Sequence, residues 1–354
     1  MDLKLLTLFL AGLAVVLMVG CQSGVDHPQP VNPDTIPEAR ALLDFLYEIR
    51  GEYVLSGHHN GPNNPLQYST AVEEMTGSMP VVWGSDFSFN FRGNDPAVVR
   101  SNMVETAKEL YARGHIITLM WHACFPADGD SCDHESIWLW KPGVSEQQWD
   151  SLTTPGTQLN QQWREQVDHV AVHLKELQKA NVPVLWRPYH EMNGIWFWWC
   201  DKRGEDGFQK LWKMMYDRLV NHHNLNNLIW VWNPNAPRDT PGDEAYDYDL
   251  YFPGLEYVDV LAADVYHNDY KQSHHDDLIE LAGDKVISLG EIGKMPEPDI
   301  LDEQPQWTWF MGWANWLFKA NDPDSVRALY NSPRVLTMDE IEKNAKGEYR
   351  VTLE

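Results

Sequence analysis

Basic side chains are scarce in this sequence of 354 residues, which has 27 lysines and arginines against 52 aspartates and glutamates. The formal net charge of −25 would repel a phosphate backbone, which excludes nucleic-acid binding as the leading interpretation. Disorder is disfavoured, because 43% of the residues are hydrophobic and only 22% are charged, as in ordinary globular proteins. The chain is therefore expected to fold and to bind a ligand of another class.

Metal-binding motifs are absent. There is no CxxC pair, and His190-Glu191 lacks the second histidine of an HExxH motif. The His-His pairs at 58/59, 222/223 and 274/275 have no further ligands at metal spacing. We therefore predict a protein without a metal.

Tryptophan is abundant: the sequence contains 17, and 12% of its residues are aromatic. Flat apolar rings with a polar edge stack on sugar rings or on nucleic-acid bases. Because the charge disfavours nucleic acid, the composition favours a carbohydrate ligand.

The N-terminus is typical of an export signal, predicted over residues 1–20, rather than of a membrane span. An apolar run, Leu5 to Val19, follows Lys4 and precedes Gly20-Cys21. A small residue before Cys21 resembles the cleavage site of bacterial lipoproteins, in which the cysteine is lipidated, although Met18 departs from the usual leucine. We predict a protein that is lipid-anchored at the cell envelope, on the outer membrane or the periplasmic face, with simple secretion as the alternative. A flexible tether is expected over 22–33 and one folded domain over 34–354.

Export permits disulfides, and three cysteines follow Cys21. Cys124 and Cys132 flank a polar loop, which favours their pairing. Cys200 is an alternative partner for either of them.

Apolar runs of strand length alternate with helical patterns along 34–354, with no internal repeat. The predicted strands are Tyr53–His59, Pro80–Phe87, His115–His122, Pro183–Met192, Asn227–Pro234, Val258–His267, Lys285–Gly293 and Trp307–Trp313. The predicted helices are Ile36–Arg50, Tyr68–Thr76, Asp95–Arg113, Thr157–Ala180, Asp206–His222, Ser273–Ala282 and Asp322–Asn331. This order predicts a single-domain α/β fold, a (β/α)8 TIM barrel with long βα loops, and a doubly wound sheet is the alternative.

Polar or aromatic residues end nearly every predicted strand, at the barrel face where such enzymes hold their catalytic groups. They include His122 on the third strand, Asn233 on the fifth, Asp264 and Tyr266 on the sixth, and Trp313 on the eighth. The long loop after His122 contains Trp138, Trp140 and Trp149 and is expected to wall a cleft.

Two glutamates end apolar strands, where an unpaired charge without a role would be costly. Glu191 ends the fourth predicted strand and Glu291 the seventh, so they face each other across the barrel mouth. Retaining glycoside hydrolysis uses two carboxylates about 5–5.5 Å apart, one attacking the anomeric carbon and one transferring the proton. The pattern therefore indicates glycoside hydrolysis with retention.

The strings Trp186–Trp199 (WRPYHEMNGIWFWW) and Ile287–Gly293 (ISLGEIG) resemble glycoside hydrolase family 26, the β-mannanase family. The resemblance covers essentially all of 34–354. It implies a (β/α)8 barrel with mannan endo-1,4-β-mannosidase activity, retention of configuration, Glu191 as acid/base, Glu291 as nucleophile, and no cofactor. It also implies that five residues surround the reacting sugar: His122, His190, Trp196, Tyr266 and Trp313.

Physical chemistry assigns matching roles to the neighbours of the two glutamates. Arg187 and Tyr266, if they reach Glu291, would stabilise its anion. The charge of Glu291 would in turn raise the pKa of Glu191 and keep it protonated. Asn233 and Asp264 are expected either to bind sugar hydroxyls or to satisfy the loop backbone.

The tryptophans near Glu191 cannot all face one cleft, because Trp196, Trp198 and Trp199 are nearly consecutive. We expect Trp196 and Trp313 to lie in the site and at least one of the others in the core.

We predict that this protein, a monomer, hydrolyses β-1,4-linkages in mannan, galactomannan, glucomannan or manno-oligosaccharides. The alternatives are the same machinery acting on β-1,3-xylan or mixed-linkage β-glucan, and a glycan-binding lipoprotein without catalysis. The pattern leaves open whether the cleft is open at both ends, for internal cleavage, or blocked at one.

Overall fold

The computed structural model describes residues 27–87, 96–132, 136–137 and 143–353. The predicted signal, Cys21 and the first part of the tether lie outside these residues, as do Trp138 and Trp140. No helix within the described ranges is long and apolar enough to span a bilayer.

Parallel strands form a closed barrel and confirm the predicted fold class. The barrel strands are β1 (Val54–Leu55), β2 (Gly57–His59), β3 (Val82–Asp86), β4 (Ile116–Trp121), β5 (Val184–Pro188), β6 (Leu228–Trp232), β7 (Val260–Val265), β8 (Val286–Ile292) and β9 (Trp307–Gly312). From β2 to β9 each strand pairs in parallel with the next, and β9 closes the barrel by pairing with both β1 and β2. The first predicted strand is thus split into β1 and β2.

Helices pack around the barrel. They are α1 (Pro37–Ile49), α2 (Gln67–Thr76), α3 (Pro96–Ala112), α4 (Glu146–Thr153), α5 (Gln158–Lys179), α6 (Phe208–Tyr216), α7 (Gln272–Ala282), α8 (Pro298–Glu303), α9 (Trp316–Lys319) and α10 (Pro323–Tyr330). The seven predicted helices are all present, and a π-helical segment, Asp217–His222, continues α6. The short helices α4, α8 and α9 were not predicted, because four to eight residues give too little periodicity.

The C-terminal residues add short strands that the sequence did not predict. Strand β10 (Val335–Leu336) pairs in parallel with β1, and β11 (Ile341–Lys343) pairs with β12 (Tyr349–Val351) in an antiparallel hairpin.

Burial explains why these runs become strands and helices. The residues of β3 to β9 are buried throughout, as expected when helices cover a parallel sheet. In α5, Thr157 caps the first turn by accepting a hydrogen bond from the Asn160 amide. One stripe of this helix then faces the core: Trp163, Val167, Val170, Leu174 and Leu177.

Cys124 and Cys132 form a disulfide, the pairing that the sequence favoured. Cys200 is a buried free thiol whose Sγ lies 3.1 Å from the Glu191 carbonyl oxygen. The alternative pairings of Cys200 are therefore wrong.

Candidate active site

Glu191 and Glu291 both line a cavity of about 820 Å³ at the C-terminal mouth of the barrel. Glu291 belongs to β8, where the pairing with β7 and β9 shifts register, as bulges near active sites do. Glu191 does not end a strand as predicted, because β5 stops at Pro188. It lies in the following turn with a φ of 54°, a left-handed conformation that non-glycine residues adopt mainly under tertiary constraint.

Glu291 is 2% exposed and is surrounded by donors. The Tyr266 hydroxyl donates to Oε2 at 2.9 Å, and Arg187 Nη1 lies 3.5 Å from Oε1. Burial raises the pKa of Glu291 to about 7, as does the charge of Glu191, whereas Arg187, His122 and Tyr266 oppose the rise. Because a guanidinium contacts Glu291, a single negative charge shared by Glu191 and Glu291 is more stable on Glu291.

Asn233 and Asp264 orient Arg187. From the sequence they were expected to bind sugar hydroxyls or to form hydrogen bonds with the loop backbone. Nη1 donates to Asn233 Oδ1 at 2.5 Å, and Asn233 Nδ2 donates to Asp264 Oδ1 at 2.8 Å. Burial raises the pKa of Asp264 well above its ordinary value, reinforced by the charges of Glu291 and Glu191. The main partners of Asn233 and Asp264 are therefore side chains of the site.

Glu191 is 7% exposed and accepts one hydrogen bond on each oxygen. Asn235 Nδ2 donates to Oε1 at 2.5 Å, and Trp196 Nε1 donates to Oε2 at 2.6 Å. Burial raises the pKa of Glu191, although both donors and the nearby Arg238 oppose the rise. These donors are neutral, whereas a guanidinium contacts Glu291. If the two glutamates share one proton, it therefore resides preferentially on Glu191.

Two glycines, Gly194 and Gly290, leave room for the groups that surround Glu191 and Glu291. A Cβ on Gly194 would lie 2.4 Å from the Trp196 indole, and a Cβ on Gly290 would lie 2.1 Å from Asn233 Oδ1. Side chains at these positions would displace the donor to Glu191 and the residue that orients Arg187.

His122 and His190 lie beside the glutamates with their ring centroids 4.6 Å apart. His122 Nδ1 lies 2.7 Å from Asp86 Oδ2. Burial opposes a charge on His122, but the carboxylates of Asp86, Glu291 and Glu191 together outweigh it and raise the pKa of His122. His190 Nε2 lies 3.7 Å from Glu291 Oε1, and burial together with His122 and Arg187 lowers its pKa well below the ordinary value. His190 is thus a neutral polar group beside the nucleophile candidate.

Trp196 and Trp313 line the cavity, and both are partly exposed. The Trp313 ring stacks on His59 with centroids 4.0 Å apart. Trp198 and Trp199, by contrast, are 2% and 0% exposed in the core. Trp149 does not wall the cleft as expected: it belongs to α4, is 3% exposed, and donates to the Asp206 carbonyl.

Several residues of this cavity were missed by the sequence analysis. They are Ile195, Phe197, Arg238, Gly242, Asp243, His267, Trp316 and Lys319, which line it, and Asn235, which contacts Glu191. Asn235 follows Asn233 by two residues, and that spacing past a strand end was the signal available for it. The others belong to loops or to the short helix α9, where no periodicity points to a site.

Two groups of described side chains could offer three metal-ligand atoms within 4.8 Å of one another: His190, Asp264 and Glu291, and Asp168, His222 and His223. An arginine already contacts the carboxylates in each, Arg187 in the first and Arg218 in the second. The positive charge of the guanidinium beside these carboxylates opposes the binding of a metal ion there. The absence of a metal remains a prediction.

The fold and the site together define a (β/α)8 barrel with two buried glutamates in an aromatic cleft, the arrangement typical of glycoside hydrolases. The chain matches the model of glycosyl hydrolase family 26 over residues 31–340 and therefore belongs to that family.

Known proteins of similar sequence support the assignment. A mannan endo-1,4-beta-mannosidase of Thermothelomyces thermophilus is 34% identical over 320 residues, which are 88% of this chain and 63% of that protein. Mannan endo-1,4-beta-mannosidase A of a Piromyces species is 30% identical over 331 residues, 89% of this chain and 51% of that protein. The chain thus spans about half to two thirds of the length of these relatives.

Solved structures agree as well. GH26A from Muricauda sp. MAR_2010_75 superposes with a TM-score of 0.83 at 50% identity, covering 88% of this chain and 99% of that one. A β-mannanase from a symbiotic protist of the termite Reticulitermes speratus, complexed with a gluco-manno-oligosaccharide, gives a TM-score of 0.74 at 28% identity, covering 88% and 96%.

Proposed function

We propose that this protein is a retaining β-mannanase that hydrolyses β-1,4-mannosidic linkages. The observation that carries the proposal is the pair of buried glutamates in one cavity, with a guanidinium and a phenol on Glu291 and two neutral donors on Glu191. The named activity of the family relatives supports the choice of mannan as the substrate.

In the first step Glu291 attacks the anomeric carbon while Glu191 protonates the departing oxygen. Arg187 and Tyr266 hold the Glu291 anion in place before attack. Once Glu291 is esterified its charge is lost, so the pKa of Glu191 falls and Glu191 removes a proton from water in the second step. Water then breaks the ester with net retention, and no cofactor is required by this sequence of steps.

Trp313 offers an apolar ring face to the reacting sugar, and its contact with His59 fixes the plane of that face. Trp196 adds a second platform beside the acid/base candidate. Mannan is neutral, so acidic residues around the cleft do not hinder binding.

The test uses the single variants Glu191→Gln and Glu291→Gln with a reducing-sugar assay on mannan. We expect each variant to lose about three or more orders of magnitude in turnover, as when a proton donor or a nucleophile is removed. Circular dichroism should show that both remain folded. Turnover within tenfold of the wild type in either variant would contradict the assignment.

Substrate choice is tested by comparing mannan, glucomannan, β-1,3-xylan and mixed-linkage glucan. We expect hydrolysis of the first two, and the gluco-manno-oligosaccharide complex of the termite-symbiont relative supports tolerance of glucose. Products from manno-oligosaccharides of defined length distinguish internal cleavage from release at one end. Binding of mannan without any hydrolysis would favour the glycan-binding lipoprotein instead.

We propose further that the protein is exported with a lipid on Cys21, on the strength of the apolar run before Gly20-Cys21. One lipidated cysteine with its acyl chains could hold the domain at a membrane while the tether lets it reach polymer. Mass spectrometry of the mature protein should find a diacylglyceryl Cys21, and Cys21→Ser should release the protein from membranes. A mature N-terminus elsewhere would contradict the anchor.

A further inference from the structure

Both hydrogen-bond donors of Glu191 contact one further side chain, Arg238, which lies in the loop after β6. Arg238 Nη1 donates to Asn235 Oδ1, and the guanidinium lies over the Trp196 ring at 5.0 Å from its centroid. Asn235 and Trp196 come from loops after different strands, β6 and β5. One guanidinium therefore connects the two groups that contact the Glu191 carboxylate.

The orientation of the Asn235 amide follows from chemistry. A guanidinium has only N–H donors, so the amide must turn its oxygen toward Arg238 and its NH₂ toward Glu191. The backbone of Asn235 is held separately, because its N–H donates to Asn193 Oδ1 at 2.8 Å and its carbonyl accepts from Asn193 Nδ2 at 2.8 Å. With the backbone held, the remaining freedom is rotation of the side chain, which Arg238 restricts.

Arg238 is itself held by Asp243 in a two-pronged ion pair. Nη2 donates to Asp243 Oδ1 at 2.7 Å, and Nε donates to Oδ2 at 3.0 Å. The backbones of Arg238 and Ala245 form an antiparallel bridge that closes this loop. The guanidinium thus contacts Asp243 along one edge, donates from one nitrogen to Asn235 and stacks with one face on Trp196. The planar fork of arginine can make these three contacts at once, and lysine cannot.

We propose that Arg238 is a positioning residue for Glu191, because it orients both hydrogen-bond donors that contact the Glu191 carboxylate. This inference rests on the proposed function, in which Glu191 is the acid. Loss of Arg238 would leave Glu191 in place but let its carboxyl group depart from the direction of the leaving oxygen, so proton transfer to the leaving group should weaken.

The test is the dependence of kcat/KM on the leaving group in Arg238→Gln. Aryl β-mannobiosides lack a leaving sugar, which separates acid catalysis from sugar binding on that side of the cleft. A phenyl leaving group needs a proton, whereas 2,4-dinitrophenolate does not. We expect Arg238→Gln to lose about 10- to 100-fold on the phenyl substrate, a part of the usual contribution of general acid catalysis, and less than about threefold on the dinitrophenyl substrate.

The pH profile gives a second readout. Glu191 faces Glu291, His122 and Asp264 as well as Arg238, and the charge of Arg238 favours its ionised form. Removing that charge should move the high-pH limb of kcat/KM, where the acid deprotonates, toward higher pH. This shift checks that the charge of Arg238 reaches Glu191, whereas the leaving-group dependence checks its positioning role.

Arg203→Gln is the matched control, because it removes the same charge. Arg203 is exposed, and its guanidinium carbon lies 3.9 Å from the centroid of the Tyr246 ring, in the loop that also holds Arg238. This control should keep the wild-type leaving-group dependence. Asp243→Asn retains Arg238 but weakens its hold, and should give the same leaving-group dependence on a smaller scale even if Arg238→Gln folds poorly.

Equal losses on both aryl substrates with an unmoved pH limb would overturn the inference, and so would a loss confined to mannan, which would indicate a sugar contact. Failure of the wild type to hydrolyse the dinitrophenyl substrate would contradict the proposed function, and this inference with it.

Discussion

Replacing Trp313 with alanine separates a sugar platform from a core residue. Trp313 is partly exposed on the cavity, and its main aromatic contact is the stack on His59. Losing that stack should cost about 0.5–1.5 kcal/mol of stability. If the other face covers the reacting sugar, about 1.5–3 kcal/mol of transition-state binding is lost as well. At 1.36 kcal/mol per tenfold, that lowers kcat/KM about 10- to 150-fold.

Trp309→Ala is the matched control, because Trp309 lies on β9, four residues earlier, and is 0% exposed. Removing this core side chain should cost about 3–5 kcal/mol of stability. Thermal melting and kcat/KM on mannan are measured for both variants. We expect the control to melt much lower and Trp313→Ala to melt near the wild type with reduced activity. A large drop in melting temperature for Trp313→Ala, with normal activity in the folded fraction, would refute its role as a platform.

Three further predictions follow from the contacts described above. Glu191→Gln should hydrolyse aryl mannosides with activated leaving groups far better than mannan, and equal loss on both in steady-state assays would remove its acid role. Tyr266→Phe removes a hydrogen bond that lowers the pKa of Glu291; because the nucleophile must be ionised, the low-pH limb of kcat/KM should move to higher pH, and an unchanged limb would contradict this. Replacing Cys124 and Cys132 with serine should lower the free energy of unfolding by roughly 2.5 kcal/mol for so short a loop, measured by denaturant titration, with no change in pH profile.

The order of strands and helices was predictable because burial in a parallel barrel requires hydrophobic residues in patterns that are visible in the local sequence. Strands covered on both faces read as apolar runs, and helices covered on one face read as periodic stripes. The same logic located Glu191 and Glu291, since a carboxylate beside an apolar run is chemically conspicuous. It placed Glu191 on a strand, however, because the left-handed turn after Pro188 has no glycine to mark it.

What only the tertiary structure decided is which polar groups meet. Asn233 and Asp264 were recognised as strand-end residues, yet their roles depend on Arg187, a residue of a different strand. Hydrogen bonds such as Arg187 to Glu291 join residues 104 positions apart, and their geometry is set by register shifts and loop closure rather than by local pattern.

The loop after β6 shows this limit best. Nothing in the local sequence around Arg238 is periodic or apolar, so no rule based on burial could place it near Glu191. Its position follows from the ion pair with Asp243 in the same loop and from the stack on Trp196, a contact that exists only once the barrel has brought two loops together. The sequence by itself determined the fold and the identity of the two carboxylates, whereas packing at the mouth determined what surrounds them. The physical reason is that burial acts on runs of neighbouring residues, while directional contacts act between residues that only folding brings close.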